Sequence, residues 1–275
     1  MPPRELPLAG QELKVDPQQV RRTILDILYR SGSSHLGPSM SIVEILIAIY
    51  ASVDCEKIRA SDPDRDRVII SKGHGAAAVY AVLYHYGLLT AEELATYCQN
   101  NSRLAGHVSH ATPGVEHSTG ALGHGLSVAV GCALGLRANG SSAKVHCLVG
   151  DGEMQEGSIW EAVMLAGHCR LNNLIVYVDD NRISSIGWTK DSVEVNPLED
   201  KLQAFQFDVT RVDGHDLSAL SQAITACGHN GRPFAIICDT IKGRGIPFAE
   251  HNNLWHYRSL NAQDYAQALK ALEGS

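Results

Sequence analysis

Hydrophobic residues recur along the chain in two patterns, one with the period of a helix and one in short apolar runs. The helical pattern predicts helices at residues 16–29, 41–51, 76–86, 123–136, 158–169 and 218–227. The apolar runs predict buried strands at residues 66–71, 144–149 and 174–178, and residues 207–212 and 234–239 are predicted as two further strands. Strands that alternate with helices indicate a doubly wound α/β fold, with a mostly parallel sheet covered by helices on both faces.

Start signals support several of these helices. Asp16-Pro17 is a natural first turn, and Ser41 with Glu44 has the spacing of a capping box. Thr90 is the expected cap of a further short helix. Residues 101–123 have little periodicity and many glycines and histidines, and a loop of this length inside a domain is usually functional.

Composition narrows the class of protein. The 275 residues, 44% of them hydrophobic, fit a tail at 1–14 and one domain at 15–275. A formal charge of −7 argues against a nucleic-acid-binding protein, and the lack of an 18-residue apolar run argues against a membrane span. Seven scattered cysteines without a Cys-x-x-Cys pair indicate reduced thiols and a cytoplasmic protein.

The most distinctive polar residues follow two of the predicted strands. Gly150-Asp151-Gly152 comes directly after the strand at 144–149, and Asn181 follows the next strand. Since the carboxyl ends of parallel strands share one sheet edge, we expect Asp151 and Asn181 to lie close together. A carboxylate, an amide oxygen and a nearby carbonyl suit Mg²⁺ or Ca²⁺, with phosphate oxygens of a ligand completing the coordination.

This spacing resembles the thiamine diphosphate motif, and the surrounding sequence is similar to the transketolase family. The residues that the resemblance places at the metal ion are Asp151, Asn181 and the carbonyl oxygen of Ile183. Those that it places at the cofactor are His74, Gly120, Leu122, Gly150, Gly152, Glu156 and Asn181. Glu156 and Glu161 also match acidic positions near the subunit interface of the family, and the alternative interpretation is that they are acidic residues at the start of a helix, stabilised by its dipole.

Histidines in glycine-rich loops carry the second part of the resemblance. Ketol transfer requires that hydroxyl groups be held and protons moved near neutral pH, for which imidazole is suited. The histidines that match the catalytic positions of the family are His35, His74, His107 and His256. By resemblance, His35 and His256 contact the donor sugar, and His74 and His107 lie around the diphosphate and the reacting carbon.

The sequence also departs from the usual family pattern. Leu36 stands where family members commonly have proline, and His124 where they often have glutamine. The stretch 246–253, which precedes His256, also differs in shape from the full-length enzymes. No role is assigned to His110, His117 or His124.

The resemblance covers only the diphosphate-binding part of a transketolase. In the family, the glutamate that activates the cofactor belongs to a pyrimidine domain, and no sequence of that domain or of the C-terminal domain follows Ser275. We therefore expect an N-terminal subunit of a split transketolase that is active only with a C-terminal partner, as two copies of each. Sugars or sugar phosphates are the expected substrates.

Three alternatives stay open at this point. The chain could be the corresponding subunit of another thiamine diphosphate enzyme, such as a 2-oxoacid dehydrogenase α subunit or a relative of deoxyxylulose-phosphate synthase. It could be a non-catalytic regulatory relative, although that would not require Asp151 and the histidines to be kept. A nucleotide-binding oxidoreductase would need a G-x-G-x-x-G turn, which Gly150-Asp151-Gly152 does not provide.

Overall fold

Five parallel strands form the central sheet of the part of the chain that the computed structural model describes, residues 15–274. The predicted tail at 1–14 and Ser275 lie outside the described residues. The strands are β1 (Arg67–Ile70), β2 (Val145–Gly150), β3 (Leu174–Asp180), β4 (Asp208–Asp213) and β5 (Phe234–Asp239). Their order across the sheet is β1-β2-β3-β5-β4, so β5 lies between the two strands that precede it in the chain. Every neighbouring pair is parallel.

Helices cover both faces of this sheet. Within residues 15–274 they are α1 (Pro17–Ser31), α2 (Leu36–Met40), α3 (Val43–Ser52), α4 (Cys55–Arg59), α5 (Ala76–His85), α6 (Ala91–Leu94), α7 (Gly125–Ala138), α8 (Gly157–His168), α9 (Thr189–Ser192), α10 (Leu198–Ala204), α11 (Leu217–Thr225) and α12 (Ala262–Glu273). One core packs α1, α2, α3, α5, α11 and α12 against the sheet, and a second core packs α7, α8 and α10. The doubly wound α/β fold predicted from the sequence is confirmed.

The strands supply residues to both cores because successive side chains point to opposite faces. In β3, Ile175 and Tyr177 belong to the first core, whereas Val176 and Val178 belong to the second. Both faces of the central strands β2 and β3 are therefore buried, and these strands read as continuous apolar runs, whereas the edge strand β4 is only half-buried along most of its length. The bounds that the sequence predicted for the five strands agree with the structure to within about two residues.

The predicted start of the first helix is confirmed. The Asp16 carboxylate accepts a hydrogen bond from the Gln18 backbone N–H at 3.0 Å, and Pro17 occupies the first helical position. Gly32, with φ of 64°, ends α1 in the left-handed conformation that favours glycine. Thr90 caps α6 as predicted, and together with Glu93 it forms a capping box.

The capping box predicted at Ser41 and Glu44 is wrong. The segment is two helices, α2 and α3, and α3 begins after Ile42 without a side-chain cap. The Ser41 hydroxyl donates to Asp179 at 2.8 Å, and Glu44 forms an ion pair with Arg21. Leaving the buried charges of Asp179 and Arg21 unpaired would cost more free energy than leaving a helix end uncapped. These tertiary contacts therefore override the local capping signal.

The long loop at 101–123 contains no helix or strand, as predicted, and it is tied to the sheet edge. Val108 donates its backbone N–H to the Gly73 carbonyl at 3.3 Å, and the Thr119 hydroxyl donates to the Ile70 carbonyl at 2.8 Å. The loop therefore lies over the carboxyl end of β1. No helix among residues 15–274 is long and apolar enough to cross a membrane.

Candidate active site

Four histidines from separate parts of the chain form one cluster beyond the carboxyl ends of the strands. His35 precedes α2, His74 follows β1, His107 lies in the long loop, and His256 ends the turn Asn253–His256. The centroid of the His35 ring lies 5.9 Å from that of His74, 5.4 Å from His107 and 5.5 Å from His256. The structure thus brings together the four histidines predicted to be catalytic, while their roles stay predictions.

Burial keeps His35, His74 and His256 of this cluster uncharged at neutral pH. It lowers the pKa of His35 to about 4, with smaller contributions from His107 and Lys242. Burial and the nearby Lys242 ammonium lower the pKa of His256 to about 3. The pKa of His74 is lowered as well, first by burial and then by Lys72. Neutral imidazoles offer one hydrogen-bond donor and one acceptor each, which suits contact with sugar hydroxyls.

Asp151 follows β2 and has an unusual carboxylate. Its Oδ1 accepts a hydrogen bond from the Gly152 backbone N–H at 2.7 Å, but its Oδ2 is buried without a hydrogen-bond partner in the described structure. Burial, and then the neighbouring Asp179 carboxylate, raise the pKa of Asp151 to about 7. An unpaired buried oxygen carries a large desolvation cost, which a bound cation would offset.

The other two predicted metal ligands lie beside Asp151. The Asn181 amide donates to Asp179 at 2.9 Å, and its oxygen accepts from the Ile183 backbone N–H at 3.1 Å. A Cβ atom on Gly152 would lie 3.0 Å from Cβ of Ser184, so the segment after β2 packs against the segment after β3. Within residues 15–274 no three His, Cys, Asp or Glu side chains are grouped to hold a metal ion. The predicted set contains one such side chain and otherwise relies on amide and carbonyl oxygens.

Lys242 is central to the site, although its sequence context gave it no role. This buried side chain follows β5, and its ammonium group donates to the Ile183 carbonyl at 2.8 Å and to the Ser184 carbonyl at 3.0 Å. It also donates to His256 Nδ1 at 3.1 Å. Burial, together with the charge of Lys72, lowers the pKa of Lys242 to about 8. The site therefore holds a fixed positive charge at its base.

Asp179 and Lys72 are two further residues that the sequence analysis missed. Asp179 accepts hydrogen bonds from four side chains, namely Ser41, Lys72, Asn181 and Thr240. Burial alone would raise the pKa of Asp179, but the charge of Lys72 and the hydrogen bonds from Lys72, Thr240 and Ser41 together lower that pKa. A charged residue at or just after the end of an apolar strand was the available signal, since Asp179 follows the buried Val178 in β3 and Lys72 lies two residues after the end of β1.

Glu153 joins three of the glycine-rich segments. Its buried carboxylate accepts from the Ser71 hydroxyl, from the Gly123 backbone N–H at 2.8 Å and from the Gly150 backbone N–H at 3.1 Å. These donors belong to the segments that carry His74, the long loop and Asp151. One carboxylate therefore fixes the relative positions of three loops.

The remaining predicted cofactor residues lie along the same edge. Gly120 is exposed, and a Cβ atom there would meet nothing within 4 Å, while Leu122 is half-buried. Glu156 is exposed immediately before α8, and Ser158 in the first turn of α8 donates its hydroxyl to the Gly123 carbonyl at 2.9 Å. The His110 ring hydrogen-bonds to Ser118 at 2.7 Å, and His124 precedes α7 without capping it through its side chain. Contact of these residues with a cofactor stays a prediction.

Comparison with known proteins gives the family. Residues 14–274 match the family model described as the transketolase thiamine diphosphate binding domain. The chain belongs to this family. As a transketolase component, it is part of a transferase that uses thiamine diphosphate.

Relatives of similar length are named as subunits of transketolases. The chain is 39% identical to an apulose-4-phosphate transketolase subunit of Actinobacillus succinogenes, over 97% of this chain and 98% of that one. It is 36% identical to a 6-deoxy-6-sulfo-D-fructose transketolase subunit of a Clostridium species, over 95% and 96% of the two chains. This chain is thus similar in extent to the N-terminal subunits of split enzymes.

Solved transketolases share its fold. The transketolase of Campylobacter jejuni superposes with a TM-score of 0.86 at 27% sequence identity, covering 95% of this chain and 42% of the longer one. The chain therefore spans less than half of the length of that enzyme.

Proposed function

We propose that this protein binds the diphosphate and metal ion of thiamine diphosphate at the carboxyl edge of its sheet. With a C-terminal subunit, it would transfer a two-carbon ketol unit from a ketose or its phosphate to an aldose or its phosphate. The observation that carries the proposal is the buried Oδ2 of Asp151, which has no partner among the described residues. Its segment packs against Ser184, and Lys242 links the carbonyls of Ile183 and Ser184 to His256 of the four-histidine cluster.

Asp151, Asn181 and the Ile183 carbonyl would hold Mg²⁺ or Ca²⁺, both of which prefer oxygen ligands. A cation would keep Asp151 ionised although burial raises the pKa of that carboxyl. The Ile183 carbonyl already accepts from Lys242, and its second lone pair leaves room for a metal ion. The fixed charge of Lys242 and the amino end of α8 favour an anionic diphosphate nearby.

When bound, thiamine diphosphate supplies the nucleophile that cleaves the carbon–carbon bond of the ketose. The histidines would orient the sugar and move its protons. An ammonium group can only donate, so His256 Nδ1 accepts from Lys242, and its Nε2 carries the proton. His256 therefore offers a donor to a sugar carbonyl or hydroxyl oxygen, and His35 offers a second neutral imidazole beside it.

The partner would carry the pyrimidine domain, and the assembly would contain two copies of each chain. Large exposed apolar side chains near the site support coverage by another protein, because such residues mark interaction surfaces. Ile186 is 79% exposed, Leu254 68% and Tyr257 63%. Tyr257 lies against the His256 ring, with centroids 4.6 Å apart. Glu156 and Glu161 would lie near the same interface. A cytoplasmic location completes the proposal.

The metal assignment is tested by titrating the assembled complex with thiamine diphosphate in a calorimeter, with and without Mg²⁺. Asp151→Ala should abolish Mg²⁺-dependent binding, because it removes the charged metal ligand. Asp64→Ala is the matched control, since this exposed aspartate lies before β1 and should leave binding unchanged. Unchanged affinity in Asp151→Ala would contradict the assignment.

The same titrations, together with turnover assays of the assembled complex, separate the alternatives. Heat on addition of NAD, without heat on addition of thiamine diphosphate, would favour a nucleotide-binding oxidoreductase. Thiamine diphosphate binding with turnover of a 2-oxoacid but not of a ketose phosphate would favour a 2-oxoacid dehydrogenase component.

A further inference from the structure

A buried polar network lies behind the candidate site and has no part in the proposed chemistry. The Arg21 guanidinium donates to both carboxylate oxygens of Glu44, at 2.7 and 3.0 Å. His215 Nδ1 lies 3.0 Å from the same Glu44 carboxylate. Arg21 and Glu44 are 3% and 5% exposed. The three residues come from α1, α3 and the segment before α11, so the network joins elements that are distant in sequence.

Both ends of the segment 241–245 attach to this network. The Ile241 backbone N–H donates to His215 Nε2 at 2.9 Å, and Arg21 Nε donates to the Arg244 carbonyl at 3.2 Å. A Cβ atom on Gly245 would lie 3.2 Å from Cδ of Arg21, so the backbone there packs directly on the arginine. Lys242 lies between the two attachment points.

The hydrogen bonds determine the protonation of His215. Since the Ile241 N–H is a donor, Nε2 of His215 must accept, and the proton of the neutral ring is on Nδ1. That proton is donated to Glu44. His215 is therefore a neutral ring that accepts a hydrogen bond from the Ile241 backbone and donates one to the Glu44 carboxylate.

We propose that Arg21, Glu44 and His215 are positioning residues that fix Lys242, and through it the Ile183 carbonyl and the His256 ring. All three donors of the Lys242 ammonium are used on acceptors within the site, so a displaced backbone at 241–245 would misplace each contact. The inference rests on the proposed function, because its consequence is the affinity for the metal ion and diphosphate. Outer residues of this kind typically change metal affinity or activity by 10–100-fold.

A purely structural ion pair makes a different prediction. Breaking a buried pair by removing one partner destabilises a protein because a buried charge is left uncompensated. If the network served only stability, any variant that keeps Glu44 and Arg21 paired would behave like the wild type. If it positions Lys242, the contact between His215 and Ile241 is the one that matters.

Two substitutions at His215 separate these roles. In His215→Asn, the shorter amide retains a donor where Nδ1 lies but cannot reach Ile241. In His215→Gln, the longer side chain can still accept from Ile241. We expect His215→Asn to weaken Mg²⁺-dependent thiamine diphosphate binding to the assembled complex about 10-fold, and His215→Gln to restore it largely. His229→Leu, at an exposed histidine after α11, is the control.

A double-mutant cycle identifies the route of the effect. Lys242→Met should weaken binding by itself, and adding His215→Asn to it should cost nothing more if His215 acts through Lys242. Additive losses, or wild-type affinity in His215→Asn, would overturn the inference. So would equal loss in the asparagine and glutamine variants. Failure of the wild-type complex to bind thiamine diphosphate would instead contradict the proposed function.

Discussion

His146 is a buried histidine of the sheet that does not belong to the four-histidine cluster. It lies in β2 and its Nδ1 is 2.9 Å from the Tyr177 hydroxyl, with the two rings stacked. Burial lowers the pKa of His146 to about 4, against an opposing effect of Asp66 and a smaller lowering by Lys144. The ring is therefore neutral in the folded protein at any pH near neutrality.

This residue should make stability depend on pH. Between pH 4 and 6.5 the unfolded chain binds a proton at His146 that the folded chain excludes, so stability is complete above pH 6.5 and falls as the pH decreases to 4. The loss approaches about 1.4 kcal/mol per pH unit, or about 3 kcal/mol in all. His146→Asn retains a donor for Tyr177 but does not titrate. Its free energy of unfolding in urea should depend less steeply on pH over this range.

The comparison with His146→Asn isolates one residue, because His35, His74 and His256 titrate in both proteins. The variant should be less stable than the wild type at pH 7, since its smaller side chain leaves a space in the core. Parallel pH profiles for the two proteins would mean that His146 does not lose its proton on folding.

The helices of this fold differ in how much of their stability comes from hydrogen bonds at their own ends and how much from burial in the core. The short helix α6 depends on the Thr90 capping box, in which the Glu93 backbone N–H donates to Thr90 at 3.2 Å and the Thr90 N–H donates to Glu93 at 2.9 Å. Helix α3, in contrast, has no side-chain cap and is held by its buried residues. A four-residue helix has few such residues, and Leu94 is the buried one in α6.

Thr90→Ala should therefore reduce the free energy of unfolding by about 1 kcal/mol, the usual cost of losing a cap. Thr225→Ala is the matched control, because the Thr225 hydroxyl donates only to a carbonyl of its own helix, and it should change stability by less than about 0.5 kcal/mol. Urea denaturation of both variants measures the difference. Equal stability of the two variants would show that the cap contributes nothing.

The whole molecule is expected to act only within an assembly. The 29.7 kDa chain should form a complex with a transketolase C-terminal subunit of the same genome, with two copies of each. Ketol transfer should be absent from either chain alone and should reach its maximum at equimolar mixing. Light scattering during chromatography gives the stoichiometry. Ketol transfer by the purified chain alone would contradict partner dependence.

At the level of single residues, the sequence predicted which residues of the site lie close together, but it did not predict the contacts that hold them in place. The spacing of Asp151 and Asn181 after two strands placed them at one sheet edge, because parallel strands share a direction. The contacts of Lys242 and Asp179 could not be predicted in this way. They depend on which side chains from distant segments face each other, and local sequence does not encode that.

The sequence by itself determined the strands, most of the helices and the family, because apolar runs, start signals and motif spacing are local properties of the chain. Only the tertiary structure decided the partners of the buried charges. Glu44 had the spacing of a helix cap, yet it pairs with Arg21 because a buried guanidinium without a carboxylate would cost more than an uncapped helix. A tertiary contact likewise connects His215 to the backbone of Ile241, next to Lys242, and so links the buried network to the candidate site.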